Sequence, residues 1–502
     1  MKILLAFRRK SYQDLSVTFL TQIGVTLINI ILLKLLAQLL SKEGFGAYLV
    51  IRRVISFAFP VLTLNLAVSM ARNISFNREK AEAYLISSFL IIFLFSMVLL
   101  LFLPIYKDLL SKILFGNIYY ANLILPMIIF LHSNSFQILC EGYFRGHHNF
   151  NKGNSVTFLF WITSLITLVV FLFSSSDVKK ILYYYFLIYA IISYFINILL
   201  LILDGKFRSN IKLSAVKSFN LNIFKVERNF FNFGISRLPT GFLLSAVFFI
   251  PLLVASSSIS LEVAASIGII VSIIRMMQVV VYPFNLIFIP KFSLYKATNN
   301  KEVIYKNSKM VLEFIFTYPF LLGLFIYFLS PEVIMLWFGG KYMEVVLYLS
   351  IVGMFIGFFL SYILIRGILD GLIEYPYSNI ITLSGALATG IISLMTLYFS
   401  WKLLGLSISI VVGILIMGIM SIIVLARNQN IKLINRKNVL AIIWFFLVAI
   451  LLGGYSQLFV ISSIVFSLMI KLLIVLLLTG LSFVVYKKLN FKWIENFSVK
   501  SA

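Results

Sequence analysis

Residues 230–288 read FFNFGISRLPTGFLLSAVFFIPLLVASSSISLEVAASIGIIVSIIRMMQVVVYPFNLIF, and the only charges among them are Arg237, Glu262 and Arg275. Two apolar runs, 230–255 and 263–288, flank a short serine-rich gap. A helix rises about 1.5 Å per residue, so about 20 apolar residues cross a bilayer core. Each run is long enough. The pattern repeats outward in both directions, at 16–40, 48–70, 82–103, 119–139, 155–173 and 181–203 before this stretch. After it come 310–329, 345–365, 377–399, 403–425, 439–458 and 460–485. Fourteen spans leave no room for a soluble domain of ordinary size. The fold class is an all-α polytopic membrane protein.

The gaps between the runs differ sharply in charge. Of 42 Lys and Arg residues, 29 fall in the two termini and every second gap, and 7 in the alternate gaps. Cytoplasmic loops retain Lys and Arg, which resist translocation during insertion. Both termini are therefore expected in the cytoplasm. The net charge of +25 is spread over many short loops rather than massed on one face, which argues against nucleic acid. Its electrostatic partner is expected to be the anionic inner leaflet. The run after Ser16 is too long for a signal-peptide core and is read as a retained first helix.

Several functions are disfavoured by what the gaps lack. The alternate, external gaps are short, and their carboxylates Glu43, Asp108, Asp177, Glu262, Glu332 and Glu344 are scattered. A polymerase or ligase acting on sugars outside the cell needs paired catalytic groups and a place to hold substrate. No enzyme activity is therefore expected. A single cysteine, Cys140, excludes an internal disulfide, and three histidines offer no metal-ligand spacing. His132, beside Ser133, Asn134 and Ser135, is expected to bond neighbouring helices. His147 and His148 are read as solvated. No cofactor or metal is expected.

The longest cytoplasmic gap, 204–229, carries six cations interleaved with Phe207, Phe219 and Phe224, as suits the membrane surface. It divides the chain into a six-helix lobe over residues 1–203, the linker itself, and a second six-helix lobe over 230–426. A further pair of helices and a basic tail occupy 427–502. Two six-helix sets with the same insertion direction suggest a transporter built from parallel repeats.

Cations inside spans require a reason, because each costs about 2.5–3.5 kcal/mol near a helix centre. They are Lys34, Arg52, Arg53, Arg237, Arg275 and Lys471. Arg275 lies mid-helix, too deep to snorkel easily, and shares a broad face with Ser272, Gln278, Tyr282 and Asn285. That face is expected to line a wet cavity; a structural charge held by neighbouring helices is the competing reading. Thr18, Gln22, Thr26 and Asn29 form a second polar stripe on the first helix. Arg52 and Arg53 point about 100° apart, so at most one can aim squarely inward. Arg237 precedes Pro239, where a kink is expected. Lys471 has little polar company along its own helix and is assigned no role. Acids within the spans look almost absent, whereas a proton- or sodium-coupled drug exporter needs them. An electropositive cavity favours an anionic substrate.

Ser41-Lys42-Glu43-Gly44-Phe45-Gly46-Ala47-Tyr48, following the apolar helix end 35–40, resembles the first-loop signature of polysaccharide flippases. Ser330-Pro331-Glu332 with Phe338-Gly339-Gly340-Lys341-Tyr342 resembles that family's external turn. Cys140-Glu141-Gly142-Tyr143-Phe144-Arg145-Gly146 resembles its segment after the fourth helix, and Pro283 with Pro290 its exit from the eighth. In order and spacing these motifs span almost the whole chain. They resemble O-antigen and polysaccharide flippases of the Wzx type, within the multidrug/oligosaccharidyl-lipid/polysaccharide exporter superfamily.

The resemblance implies two six-helix lobes around a central cavity, with two added helices that help accommodate a lipid tail. It implies alternating access and a cargo of undecaprenyl-pyrophosphate-linked oligosaccharide, moved from the inner to the outer leaflet of a bacterial inner membrane. The family's intramembrane cations carry over to Arg52, Arg53, Arg237 and Arg275; Gln22, Asn29, Gln278 and Asn285 complete the expected substrate-binding set. With cytoplasmic termini, Arg237 lies toward the inner face, Arg275 near the midplane, and Arg52 and Arg53 toward the outer face, a possible relay for pyrophosphate. No coupling ion is named by the sequence. The alternatives are a lipid II flippase or another exporter of the superfamily and, from a different class, a polysaccharide polymerase or ligase.

Overall fold

A computed structural model describes residues 2–76, 78–171, 177–204, 207, 228–373, 375, 377–433, 436–458 and 463–488. The described residues are almost entirely helical. Thirteen helical segments are long and apolar enough to cross a membrane, and a shorter apolar helix covers Lys437–Leu452. The chain is an all-α, multi-pass membrane protein. The basic linker expected over 204–229 lies almost wholly outside the described residues, as does the tail beyond Lys488.

The chain divides into two compact units, Met1–Ala265 and Ser266–Ala502. The first holds α1 (Lys2–Leu39), α2 (Lys42–Leu62), α3 (Leu66–Phe76), α4 (Ala81–Leu101), α5 (Leu103–Phe115), α6 (Ile124–Gly146), α7 (Phe150–Phe171), α8 (Val178–Ile202) and α9 (Arg228–Val254). The boundary falls near the start of α10 (Leu261–Ala297). The second unit continues with α11 (Lys301–Ile315), α12 (Tyr318–Trp337), α13 (Val345–Leu372), α14 (Tyr377–Tyr398), α15 (Lys402–Asn428), α16 (Arg436–Leu458) and α17 (Ile464–Lys488).

The second apolar run is broken rather than continuous. Leu64 and Asn65 adopt left-handed backbone angles, φ 47° and 53°, and separate α2 from α3. The break lies just past Pro60, and Asn65 N–H is satisfied by the Pro60 carbonyl at 3.1 Å. Helix α9, placed by sequence at the head of the second six-helix set, groups by contact with the first unit. Ser69 donates to the Phe230 carbonyl at 2.5 Å, Tyr84 stacks on Phe230, and Phe57 stacks on Phe249. A Cβ on Gly234 would meet the Leu64 carbonyl at 2.8 Å, so glycine permits this approach at the break itself.

The segment Cys140–Gly146, expected after the fourth span, instead forms the last two turns of α6. Its glycines are packing devices: Cβ atoms there would lie 2.6 Å from the Ala67 carbonyl and 2.7 Å from Ile74 Cβ. A Gly-x-x-x-Gly pair thus seats α6 on α3, the small-residue contact typical of membrane interfaces. Near the end of α6, Tyr143 donates to Glu82 at 3.1 Å and Glu141 pairs with Arg145 at 2.5 Å. His147, read as solvated, is half-buried against the edge of Tyr143. His132 behaves as expected, bonding Ser96 at 2.9 Å and Tyr194 at 3.4 Å across three helices.

Two helices of the second unit run differently from the sequence reading. The ninth span divides into α11 and α12, and α12 continues to Trp337. Glu332, expected in an external loop, is therefore a helical residue, only 6% exposed. Lys471 on α17 meets it at 2.8 Å, and Ser467 donates to the same carboxylate at 2.6 Å. Lys471 also donates to the Phe328 carbonyl at 3.1 Å. The charged partner that Lys471 lacks along its own helix comes from α12, and Ser467, one turn before Lys471, shares it. Around this clasp, Leu324, Phe328, Val448, Leu452 and Leu478 form an apolar cluster joining α12 to α16 and α17.

Candidate functional site

Among the described residues, a group of charged side chains lies within spanning segments of the second unit, on α10 and α13. Arg275 stands mid-way along α10 and reaches Gln278, one turn further on, at 3.4 Å. Asn285, three turns on, packs its side-chain oxygen against Gly367 of α13, where a Cβ would collide with it. This contact holds the two helices close. On α13, Tyr362 is fully buried and lies within electrostatic reach of both Arg275 and Arg366. Arg366 is itself close to Tyr282 of α10. Its guanidinium pairs with Asp370 one turn away at 3.4 Å, and Ser378 of α14 donates to the same carboxylate at 2.8 Å. These described residues comprise two guanidinia and one carboxylate.

Arg366 and Asp370 were missed because the tenth span was drawn to end at residue 365. Helix α13 runs on to Leu372. A signal was present: Arg366 and Asp370 stand four apart, with apolar residues continuing the helical period between and beyond them. The expectation that acids are almost absent from the spans is corrected accordingly, since Glu332 and Asp370 both lie within spanning segments. Each is engaged by a cation, Lys471 and Arg366 respectively.

The remaining expected residues belong to the first unit and have different surroundings. Arg52 donates to the Tyr48 hydroxyl at 2.8 Å and lies over the Trp161 ring, 4.6 Å from its centroid. Tyr185 and Tyr189 stand nearby, so this guanidinium sits in an aromatic box. Tyr48 is the last residue of the Phe-Gly-x-Tyr signature, is fully buried, and stacks on Phe186. The signature thus supplies the support of Arg52. Arg53, adjacent and half-buried, points about 100° away. Arg237 lies 5.1 Å over the Phe233 ring, which Arg72 also approaches, at 4.2 Å. Asn29 donates to its own helix at the Val25 carbonyl, and Thr18 accepts from Asn154 of α7. Gln22 is half-buried on the same stripe. The structure brings Arg275, Gln278 and Asn285 together in one cluster and leaves Arg52, Arg53, Arg237, Gln22 and Asn29 in the other unit.

About fourteen spanning helices, with guanidinia held inside the spans, define a multi-pass membrane protein. Its fold is that of solved multidrug and related exporters. The chain matches an inward-facing multidrug-resistance MATE-family transporter of the MOP superfamily with a TM-score of 0.68 at 14% identity, covering 82% of this chain and 98% of that one. It matches a eukaryotic MATE transporter at 0.60 and 15% identity, over 85% and 100% of the two chains. A MOP-superfamily transporter from Pyrococcus furiosus, described as having a binding pocket of reversed polarity, matches at 0.56 and 15% identity, over 83% and 95%. No curated protein matches. Residues 11–296 match the model of the polysaccharide biosynthesis protein family, and the chain belongs to that family.

Proposed function

We propose that this protein is a flippase for an anionic, lipid-linked oligosaccharide, carrying an undecaprenyl-pyrophosphate-linked polysaccharide repeat unit from the inner to the outer leaflet by alternating access. The observation that carries the reading is the pair Arg275 and Arg366, held within spanning helices and both within electrostatic reach of Tyr362, with Asp370 paired to Arg366. Guanidinium forks bind phosphate oxygens at two points, and a cation held inside a span is costly enough to require a reason. Membership of the polysaccharide biosynthesis family supports a glycan as the cargo. The Pyrococcus transporter of reversed pocket polarity is a precedent for this fold serving different substrates.

A bacterial inner membrane, negative inside, favours outward movement of an anion by about 2.3 kcal/mol per charge per 100 mV. The potential alone can therefore drive the step, and no coupling ion is required. The test is export of surface polysaccharide in cells whose own gene is replaced by Arg275→Ala or Arg366→Ala. A charged hydrogen bond contributes about 1.5–3 kcal/mol, so each variant should lose about tenfold or more of its export at normal membrane abundance. Undiminished export by both would remove the cluster from the substrate path.

A further inference from the structure

A pocket of about 510 Å3 opens at one end of the first unit, well away along the chain from the cations discussed above. Its walls are α5, the turn leading into α6, and the first turn and a half of α8. Three lysines converge on it, Lys107 from α5 and Lys179 and Lys180 from α8, together with Tyr119, Tyr183 and Tyr184. Lys179 lies over the ring of Tyr119. Asp177 is the one carboxylate on the wall among the described residues, and it caps α8 by accepting from the Lys179 N–H at 3.0 Å. The pocket is therefore cationic, with aromatic sides.

The depth of this pocket in the membrane follows from α5. That helix begins two residues after the spanning helix α4 ends. Ile105, Leu109 and Ile113, spaced by four, are 79%, 61% and 46% exposed, and Leu101 just before them is 74% exposed. An apolar stripe of this kind on a 13-residue helix lies in the plane of the interface with its apolar side chains in the acyl region. Lys107, between Ile105 and Leu109 in sequence, then stands at headgroup level. Tyrosines and lysines are common at that depth as scattered anchors. Here they instead line one concave site from three separate segments.

We propose that this pocket binds the phosphate of an anionic membrane lipid in the leaflet adjoining α5. Lys107, Lys179 and Lys180 contact the phosphate, and the acyl chains follow the Ile105–Leu109–Ile113 stripe. With cytoplasmic termini this is the outer leaflet. The proposal stands independently of the flipping function, since it uses neither Arg275 nor Arg366.

The experiment is native mass spectrometry of the delipidated, full-length protein titrated with phosphatidylglycerol or phosphatidylcholine. Phosphatidylglycerol should be retained preferentially. A Lys107→Gln/Lys179→Gln/Lys180→Gln variant should bind it about tenfold more weakly or worse, with phosphatidylcholine binding unchanged. The corresponding triple arginine variant keeps the charge and should keep the preference, which separates lost electrostatics from misfolding. Lys341→Gln, in the other unit, should have no effect. An unaltered preference in the triple glutamine variant would overturn the site. Competition by millimolar inorganic phosphate or a soluble sugar phosphate, with binding of either alone, would assign the pocket to a soluble anion and overturn the lipid.

Discussion

Arg275 was legible in the sequence because a guanidinium mid-way along an apolar run has no route to water. Arg366 was not, because its place one residue past an apparent helix end made it look like one more loop cation. The two should behave as a pair. Arg275→Lys keeps a charge but loses the planar fork, so it should retain part of the export that Arg275→Ala loses. Arg275→Glu should be at least as damaging as alanine, since it would repel a pyrophosphate. Were Arg275 purely structural, alanine would lower membrane abundance, and export would fall only in proportion. Export normalised to immunoblotted protein separates these outcomes. Arg52 makes a different case: the sequence showed the charge, but its aromatic box draws on Trp161, Tyr185 and Tyr189, more than 100 residues distant, and no local pattern reveals it.

At the scale of elements, span number was read well and span ends were not. Apolar length fixes the existence of a membrane helix, but a helix continues past its last purely apolar residue where capping and packing allow, as α13 does to Leu372 and α10 to Ala297. The Glu332–Lys471 clasp was hidden for a related reason. Its members lie 139 residues apart, and each looked solitary on its own helix. Removing one partner strands a buried charge, at a typical cost of about 3–5 kcal/mol, whereas replacing both by apolar residues is often neutral. Lys471→Ala and Glu332→Ala should each lower the melting temperature of the purified protein markedly, and Glu332→Leu/Lys471→Met should recover most of it. Losses that simply add in the double variant would show that the two residues act independently and that the pair adds nothing to the attachment of α17. Gly46 poses a steric test, since a Cβ there runs into the Leu261 carbonyl. Gly46→Val should cost at least the 1–3 kcal/mol typical of overpacking, about the same again if the α2–α10 approach must open, and be seen as reduced folded yield. A normal yield would mean the two helix starts separate freely.

For the molecule as a whole, charge asymmetry predicts an orientation that a labelling experiment can check. In a Cys140→Ser background, Lys432→Cys should be shielded from an impermeant thiol reagent in intact cells, and Gly340→Cys should react. The reverse pattern would invert the topology and, with it, the direction assigned to transport. The long basic gap at 204–229 suggests a lobe boundary there, whereas the chain divides by contact into Met1–Ala265 and Ser266–Ala502, so that α9 groups with the first unit. That follows from contacts of Phe230, Gly234 and Phe249 with α2, α3 and α4, which no hydropathy pattern encodes.

In the proposed function, the intramembrane guanidinia recognise the phosphate of a lipid-linked glycan. The most direct measurement follows leaflet-to-leaflet movement of a polyprenyl-pyrophosphate-linked oligosaccharide in proteoliposomes under an imposed membrane potential. The wild-type protein should move it, faster toward the positive side. Arg275→Ala and Arg366→Ala should be slowed by about tenfold or more. The same glycan on an uncharged polyprenyl ether should move poorly in all three. Equal rates for charged and uncharged cargo, indifferent to the potential and to both substitutions, would contradict the account.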